Sequence, residues 1–476
     1  MPPVATAVLR EVLTRASYDA DSVRDLVRAD GLDMLPGLAV LRLRPEGDEP
    51  LGRLVRLFLG GEELDADAAA AALEPAQLGD LIEAGLVEPA GEGAVRASVR
   101  LDPVRGLLVA ADHRRPGPSP GDHVVYPGPA SETLAALTVR DRVESALDLC
   151  CGSGIQALLA ARHSERVVAT DLNDRALRLA ELSADLSGVR NVEWRSGDLF
   201  EPVGDERFEL IVANPPFVIS PSTELTYRDG GRTGDELSRE VVAGCAERLE
   251  EGGFGHVLCS WVRGPGAHYS DAPWRWLAHA GCDVIVLHID TETPVGYAMR
   301  WNMGEAGSAD EAVQGTRRWQ DYYAELGIES LATGVVVFRR RPGPNWLYAD
   351  ELVTSGDDAG AHVRRVFAGH DAVAAFADDG DLPAARLSLP PSVRLIERRL
   401  PGGRLERARL SDGDGLRLPG AITPPSAAAA LTALDGRRTL AAAGDAAGVP
   451  PGDLEAALPS IRDLIRRGYV VVGASP

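Results

Sequence analysis

One short stretch of the sequence combines a hydrogen-bonding amide, two prolines and an aromatic ring. Asn214-Pro215-Pro216-Phe217 follows the segment Phe208–Ala213, which is apolar apart from Glu209 and has the length of a buried strand. Two prolines end strand pairing, so Asn214 is expected at the carboxyl end of that strand, where open α/β sheets bind ligands. The Asn214 side-chain oxygen and the Pro215 carbonyl can each accept an N–H bond from a planar nitrogen, and Phe217 can stack on a flat group. This pattern predicts chemistry at such a nitrogen.

A glycine-containing loop upstream has the features of a nucleotide-like cofactor site. Gly152 and Gly154 follow the predicted strand 146–150, which is apolar apart from Asp148, and let the backbone approach a ligand closely. Asp171 comes seventeen residues after Gly154, at the end of the next predicted strand, where a carboxylate can accept from ribose hydroxyls. The spacing of Gly152, Gly154 and Ala157 also fits the relaxed dinucleotide fingerprint, so a nicotinamide-dependent oxidoreductase stays open at this point.

A third acidic position is expected at the same edge of the sheet. Gly197-Asp198-Leu199-Phe200 follows the third predicted strand. Asp198 could therefore accept a hydrogen bond from an adenine amino group.

These loops require a sheet that brings them together. Strands and helices alternate through the middle of the chain, which predicts an α/β fold with a doubly wound, mostly parallel, seven-stranded Rossmann-like sheet. The predicted strands are 146–150, 166–171, 192–195, 208–213, 255–260, 284–289 and 334–339. The predicted helices are 156–161, 174–186, 236–249 and 274–280. The seventh strand, reached without a clear crossover helix, is expected to be antiparallel.

The flanking regions predict smaller, winged-helix-like domains. Helices at 8–16, 22–29, 51–59 and 75–84 precede strands at 85–88 and 95–99. Segment 78–87 is similar to segment 461–470, which follows two further predicted helices at 439–447 and 451–458. Such modules recognise nucleic acid or serve as packing and interaction modules.

Three domains follow from this organisation. They are an N-terminal helical, winged-helix-like domain at 1–115, a central domain at 116–342 and a C-terminal accessory region at 343–476 that ends in a winged-helix-like module. The Pro- and Gly-rich stretch 113–122 is predicted to be a linker. Residues 342–420 are predicted to be loop-like, with strands at 393–398 and 403–409.

Composition limits the partners. The net charge of −22 and pI near 4.9 disfavour general binding to nucleic acid or anionic membranes. All 49 basic residues are arginine, which excludes lysine Schiff-base chemistry. The five cysteines form no CxxC pair, so no metal site is predicted. No apolar run reaches the ~18 residues of a membrane span, and we expect a cytoplasmic protein.

Taken together, Asp148 to Gly154, Asp171, Asp198 and Asn214-Pro215-Pro216-Phe217 resemble class I S-adenosylmethionine-dependent N-methyltransferases. Within them the chain is similar to the methyltransferase small domain group, which includes HemK/PrmC-like protein-glutamine and RsmC-like ribosomal RNA guanine methyltransferases. The upstream segment 126–133 also resembles the segment that precedes the HemK core. The resemblance covers about residues 123–340.

The resemblance implies S-adenosyl-L-methionine as cofactor and assigns a role to each site residue. Asp171 would hold the ribose, Asp198 the adenine, and Asp148 would lie near the methionine amino group. Asn214, Pro215 and Phe217 would be catalytic and hold the acceptor nitrogen. The other cofactor-binding residues would be Cys150, Gly152, Gly154, Leu172, Leu199 and Asn214.

Two long loops leave the predicted binding edge of the sheet, at 218–234 and 291–329. Loops of this kind are commonly functional. Their candidate substrate-binding residues are Tyr227, Arg228, Tyr297 and Trp301, together with Pro216, although the aromatic residues could equally fill a small satellite core.

The favoured function is methyl transfer from S-adenosylmethionine to a planar amide or amino nitrogen of a protein, peptide or small molecule. Ribosomal RNA guanine or adenine N-methylation is the alternative within the same class. An NAD-dependent oxidoreductase and a catalytically silent regulator that binds the cofactor are the alternatives from other classes.

Overall fold

The structure, a computed structural model, describes residues 3–27, 49–114, 120–223, 225, 227–302, 308–353, 356 and 358–473. The chain divides into two compact units. The first contains Met1–Ala135 and Arg142–Ala349, and the second contains Ala136–Asp141 and Asp350–Pro476. The predicted boundaries after residues 115 and 342 stay predictions, since one compact unit can hold more than one sequence domain.

The N-terminal part of the first unit is mainly helical. Its elements are α1 (Pro3–Arg15), α2 (Ala20–Val27), α3 (Pro50–Leu54), β1 (Leu64–Asp65), α4 (Ala66–Leu73), α5 (Leu78–Glu83), β2 (Val87–Pro89), β3 (Ala94–Ala97), β4 (Arg100–Val104) and β5 (Leu107–Ala111). A π-helical turn, Val55–Leu59, continues α3. Strands β1, β3 and β2 form one small sheet, and β4 and β5 pair antiparallel. Helix α4 was not predicted, and residues 28 and 29 of the predicted second helix lie outside the described residues.

The rest of the first unit alternates strands and helices. Its elements are α6 (Pro129–Leu137), β6 (Val143–Leu149), α7 (Ile155–Ala160), β7 (Ser164–Asp171), α8 (Asp174–Ser187), β8 (Val192–Ser196), β9 (Phe208–Ala213), α9 (Glu236–Glu247), β10 (Leu249–Arg263), α10 (Asp271–Leu277), β11 (Cys282–Glu292), α11 (Pro294–Asn302), α12 (Ala309–Glu325), β12 (Ser330–Arg340) and β13 (Leu347–Glu351).

These strands form one sheet in the order β13-β11-β12-β10-β9-β6-β7-β8. The pairs from β10 through β9, β6 and β7 to β8 are parallel. Strand β12 is antiparallel to both β10 and β11, which confirms the prediction for the seventh strand. The fold is therefore mixed α/β with a mostly parallel sheet, as predicted.

The predicted number of strands was wrong, because the sheet has eight. The additional strand is β13, at the edge beside β11, where the Val284 N–H donates to the Trp346 carbonyl. A Pro- and Gly-containing turn precedes it, and the sequence therefore resembles a loop at this point.

The core of the sheet is apolar on both faces. Strand β9 is buried throughout except at Glu209, and helix α9 packs on it through Val241, Val242 and Cys245. Burial on both faces explains why the sequences of these strands are nearly continuous apolar runs.

The second unit contains helices and small antiparallel sheets. Its elements are α13 (Ala359–Ala374), β14 (Arg386–Ser388), β15 (Val393–Arg399), β16 (Leu405–Asp412), β17 (Ala421–Ile422), α14 (Ala428–Thr432), β18 (Asp435–Thr439), α15 (Leu440–Ala446), α16 (Pro451–Arg466) and β19 (Val471–Val472). The sheets have the orders β18-β14-β19 and β15-β16-β17. Helix α13 lies within residues 342–420. The prediction that this segment is loop-like was therefore wrong over the range of α13.

The two similar sequence segments have the same local geometry. Gly85 follows α5 with φ of 70°, and Gly468 follows α16 with φ of 71°. The next amide donates in each case to a carbonyl five residues back, from Leu86 to Leu81 and from Tyr469 to Leu464. Glycine at such a helix end avoids the Cβ penalty of a left-handed conformation.

Across the described ranges, no helix is both long and apolar enough to cross a membrane.

Candidate functional site

Three neighbouring strands end side by side. Leu149 of β6 lies opposite both Ala213 of β9 and Thr170 of β7 in the ladders. The next residues along the chain are Cys150, Asn214 and Asp171. The register therefore brings the glycine loop, the candidate ribose carboxylate and the Asn-Pro-Pro motif to one edge of the sheet.

The glycine loop turns through left-handed backbone conformations. Cys150, Gly152 and Gly154 have φ of 59°, 53° and 84°. A Cβ at Gly154 would lie 2.8 Å from that of Ala180, whereas a Cβ at Gly152 would meet nothing within 4 Å. Gly154 is thus required by packing against α8, while Gly152 leaves open space beside the loop.

Asp171 holds this loop in place. Its carboxylate accepts from the Gly152 N–H at 2.8 Å and from the Asn173 N–H at 2.9 Å. Burial raises the pKa of Asp171, and the backbone donors partly oppose that shift. The carboxylate is therefore fixed in orientation at the strand end before any ligand binds.

Asp148 lies beneath the loop and is 2% exposed. It accepts from the Ala157 N–H at 2.7 Å, in the first turn of α7. Burial raises the pKa of Asp148 to about 8, and the nearby Asp171 adds to the shift. A buried carboxylic acid without an ion-pair partner among the described residues is a place where a cationic group would be favourable.

The remaining candidate cofactor residues surround the same strand ends. The Gly197 N–H donates to the Asp171 carbonyl at 3.1 Å, which brings Asp198 and Leu199 next to β7. Leu172 is 62% exposed, an unusual position for a leucine. An exposed apolar side chain beside a carboxylate suits one face of a flat ring.

Asn214 has one satisfied and one unsatisfied side-chain atom. Its Nδ2 donates to the Ser131 Oγ at 3.5 Å. Its Oδ1 is buried and has no hydrogen-bond partner within the described part of the chain. Because a buried unpaired acceptor costs about 1–3 kcal/mol, this oxygen is arranged to accept an N–H that the chain itself does not supply.

The motif's aromatic ring lies between two cores. Phe217 packs against the core of the sheet and against a smaller cluster, which we call the satellite cluster. The satellite cluster joins Val218 and Ile219 to residues of α11 and α12, so most of the segment 291–329 that was predicted to be a loop is helical. Its ring meets Trp301 edge to face, with centroids 6.3 Å apart. Pro215 is buried, and Pro216 is partly exposed at the same turn.

The candidate substrate-binding residues of segments 218–234 and 291–329, which we call the lid segments, contact other protein residues. The Arg228 Nε donates to Asp229 Oδ1 at 2.7 Å in a buried ion pair, and the Arg228 guanidinium lies 5.5 Å from the Trp319 ring. Tyr297 is fully buried in the satellite cluster, and Tyr227 meets the His123 ring edge to face. In this structure Arg228 and Tyr297 stabilise the lid segments through buried contacts, and their role in substrate binding stays a prediction.

Sequence reasoning missed two residues that position the site. The Ser131 Oγ accepts a hydrogen bond from Asn214 Nδ2, and the Ser131 backbone carbonyl accepts one from Gln156 Nε2 at 2.9 Å. The similarity of segment 126–133 to the segment before the HemK core was the available signal. The linking role of Gln156 depends on the tertiary structure alone.

Within the described ranges, no group of three or more His, Cys, Asp and Glu side chains is arranged to hold a metal ion. The cysteines are free thiols, and burial raises the pKa of Cys245, Cys259 and Cys282.

The sheet order with its antiparallel β12, together with this strand edge, defines a Rossmann-like methyltransferase fold. Residues 128–258 match the family described as Methyltransferase small domain. Residues 15–98 match a second family, described as Domain of unknown function (DUF7059).

Similar proteins include two kinds of bacterial glutamine methyltransferase. The ribosomal protein uL3 glutamine methyltransferase of Bradyrhizobium diazoefficiens is 34% identical over 151 residues, which are 28% of this chain and 47% of that protein. The release factor glutamine methyltransferase of Xylella fastidiosa is 35% identical over 129 residues, 25% of this chain and 47% of that protein. The release factor glutamine methyltransferase of Geobacter sulfurreducens is 32% identical over 146 residues, which are 28% of this chain and 51% of that protein. The chain thus spans about half the length of these relatives.

Proposed function

We propose that this protein transfers a methyl group from S-adenosylmethionine to the side-chain amide nitrogen of a glutamine in a protein. The observation that carries the proposal is the unpaired, buried Asn214 Oδ1 at the edge that also holds Asp171 and the glycine loop. The family of residues 128–258 supports this cofactor class.

The residues of the glycine loop fit the cofactor. Asp171 is oriented to accept from ribose hydroxyls, and the open space beside Gly152 leaves room for the methionine portion. Asp148, buried and without a cationic partner among the described residues, would receive the methionine ammonium group. Asp198 and Leu172 would meet the adenine through an acceptor and an apolar surface.

Asn214 performs the central task on the acceptor side. A glutamine amide nitrogen is a poor nucleophile because its lone pair is delocalised into the carbonyl. Asn214 Oδ1 and the Pro215 carbonyl accept its two hydrogens and turn the lone pair toward the methyl group, and Phe217 bounds the amide. Ser131 fixes the Asn214 amide in the orientation that presents the oxygen.

When bound, S-adenosylmethionine supplies an electrophilic methyl group on a sulfonium sulfur. That methyl group would pass to the amide nitrogen, which would lose one proton to solvent. Positive charge that develops on the nitrogen is stabilised by the two preorganised acceptors, so no strong base is needed before attack.

A protein acceptor is supported by the relatives, which are named for glutamine methylation of a ribosomal protein and of release factors. The chain's net charge of −22 also disfavours a generally polyanionic substrate at the cleft.

The test is methylation of cell extract by the full chain with tritium-labelled S-adenosylmethionine, using Asn214→Ala as the inactive control. We expect label that protease releases and ribonuclease does not, with mass spectrometry placing it on a glutamine amide. Label destroyed by ribonuclease would overturn the assignment in favour of RNA.

A further inference from the structure

The hairpin β15–β16 in the second unit carries charge opposite to that of the whole chain. Residues 393–412 contain six arginines and three carboxylates, whereas the protein as a whole has a net charge of −22. The carboxylates are Glu397, Glu406 and Asp412, and the arginines are Arg394, Arg398, Arg399, Arg404, Arg407 and Arg409.

Register divides this hairpin into two faces. Val393, Leu395 and Glu397 pair with Asp412, Leu410 and Ala408, and most of these residues are buried. The alternate positions form the opposite face, which is mostly solvent-exposed, since successive side chains point to opposite sides of a strand. Its members are Arg394, Ile396, Arg398, Arg407, Arg409 and Ser411. We name this surface the arginine face.

The arginine face carries four guanidinium groups and no carboxylate of its own. Arg398 is paired at 2.9 Å with the neighbouring Glu406, but it is 71% exposed, so the pair contributes little. Arg394 donates to the Val393 carbonyl at 3.1 Å. Neither Arg407 nor Arg409 forms an ion pair with any described residue.

The placement of two arginines works against stability. Arg398 and Arg407 lie directly opposite each other across the ladder. Like charges in that position repel, and folding alone gives no reason to place them there. An anionic ligand that lies across both strands would remove the repulsion.

The geometry favours a polymer of phosphates. Same-face residues on one strand are ~6.5 Å apart, and facing residues on adjacent strands are ~5 Å apart, which gives a flat grid of bidentate donors. The only exposed apolar side chain on the face is Ile396, at 42%, so the face offers a protein partner little apolar surface to bury. It also has no aromatic ring on which a base could stack.

The neighbouring winged-helix-like elements do not supply such a surface. Helix α16 has Asp453 in its first turn, Arg462 pairs with Asp379, and Arg466 lies near Asp463. The positive charge of α16 is therefore mostly neutralised by carboxylates.

We propose that the arginine face binds the phosphodiester backbone of a nucleic acid, without reading its base sequence. Guanidinium groups on two adjacent strands contact successive phosphates, and the contact releases condensed counterions. The proposal does not depend on the methyl-transfer activity and goes beyond it.

The test uses the full chain and fluorescence anisotropy with three labelled probes: a single-stranded RNA, an RNA duplex and a poly-glutamate peptide. Four phosphate contacts predict a slope of log affinity against log salt of about −2.8 for a single strand and up to about −3.6 for a duplex. Arg407→Gln/Arg409→Gln should weaken binding about tenfold or more and bring the slope down to about half, since two contacts are lost.

Arg437→Gln/Arg438→Gln is the matched control, because it removes the same charge from exposed residues of another sheet in the same unit. It should leave affinity and slope within about twofold of the unmodified chain. The face variant should keep the melting temperature or raise it, since it relieves the Arg398–Arg407 repulsion.

Three outcomes would overturn the proposal. They are an absence of nucleic-acid binding at 50 mM salt, equal losses in the two double variants, and binding of poly-glutamate with none to either RNA. The last result would assign the face to an acidic protein partner.

Discussion

The Nη2 atom of Arg232 lies 3.6 Å from Oδ2 of Asp198, so a lid arginine contacts the candidate adenine carboxylate. Arg232 also donates to Glu240 of α9 at 3.2 Å. Both members of the Arg232–Asp198 pair are 40–49% exposed. The pair is weak for this reason, but it occupies the acceptor that the adenine amino group would use.

We expect Arg232→Gln to tighten binding of S-adenosylmethionine by up to about fivefold. Arg232 and the adenine amino group compete for the Asp198 carboxylate. An exposed ion pair contributes about 0.2–1 kcal/mol, and the cofactor no longer has to displace this interaction once the arginine is removed. Titration calorimetry with the full chain measures the change. Arg239→Gln, an exposed arginine of α9, is the control and should have no effect. Weaker binding in Arg232→Gln would mean that the arginine supports the cofactor.

Asn214→Ala should lower the rate of methyl transfer by about 100-fold or more while leaving cofactor affinity within about twofold. The reason is that a preorganised hydrogen-bond group at the reacting atom is typically worth this factor. Single-turnover assays and calorimetry separate the two quantities. Collapse of cofactor affinity with turnover preserved would contradict the role given to Asn214.

Ser131→Ala tests the positioning of that amide. Ser131 accepts from Asn214 Nδ2 and does not touch the acceptor nitrogen in our proposal. We expect a smaller loss in kcat, about three- to tenfold, with cofactor affinity unchanged and partial rescue by Ser131→Thr. A rate equal to that of the unmodified chain would show that Asn214 is oriented by other groups.

Asp148 should release a proton when the cofactor binds. In the free protein its pKa is about 8, so the side chain holds its proton at pH 7. The methionine ammonium group favours the carboxylate form and lowers that pKa, which predicts release of up to about one proton. Calorimetry at pH 7 in buffers of different ionisation enthalpy measures it. The cofactor affinity should therefore rise with pH up to about 8.

Asp148→Asn is the control for this proton release and should abolish it. The amide oxygen can still accept from the Ala157 N–H. The same residue links stability to pH: the folded state holds the proton that the unfolded chain loses near pH 4, so this group's contribution to stability falls as pH rises from about 4 to 8. A pH dependence unchanged in the variant would exclude Asp148 as its source.

Gly369→Ala should destabilise the second unit by about 1–3 kcal/mol, because an added Cβ would overlap the Ile465 carbonyl of α16. Gly452→Ala is the matched control, since its Cβ would meet nothing within 4 Å and alanine is the better helix former. We expect thermal unfolding to shift in opposite directions for the two variants. A neutral Gly369→Ala would mean that α13 and α16 are not closely packed there.

The parallel strands were predictable because burial on both faces leaves a continuous apolar run. Strand β9 was predicted with its observed bounds, Phe208–Ala213. Helix α13 was missed because Gly360 and Gly369 weaken its helical signal. Both glycines allow close approach to backbone carbonyls, of Thr138 and Ile465, and such contacts are invisible in a local pattern.

In the candidate site, the motifs predicted which residues lie at the sheet edge but not how their atoms are paired. The spacing of Asn214 and Asp171 gave their positions at neighbouring strand ends. The free Oδ1 of Asn214 depends on Ser131, which is 83 residues away in sequence. Similarly, the enrichment of aromatic residues in segment 291–329 did not distinguish a binding surface from the buried satellite cluster that contains Tyr297.

The insertion of β12 between β10 and β11 has a consequence for biosynthesis. Strand β11 pairs with β12 and β13 and with no earlier strand among those described, so its apolar residues are made before any partner strand exists. The 37 residues that separate the end of β11 from the start of β12 take about 2–7 s to translate. Until β12 and β13 have been made, the apolar residues of β11 lack their partner strands, and unpaired edges of this kind favour aggregation of a partly folded chain.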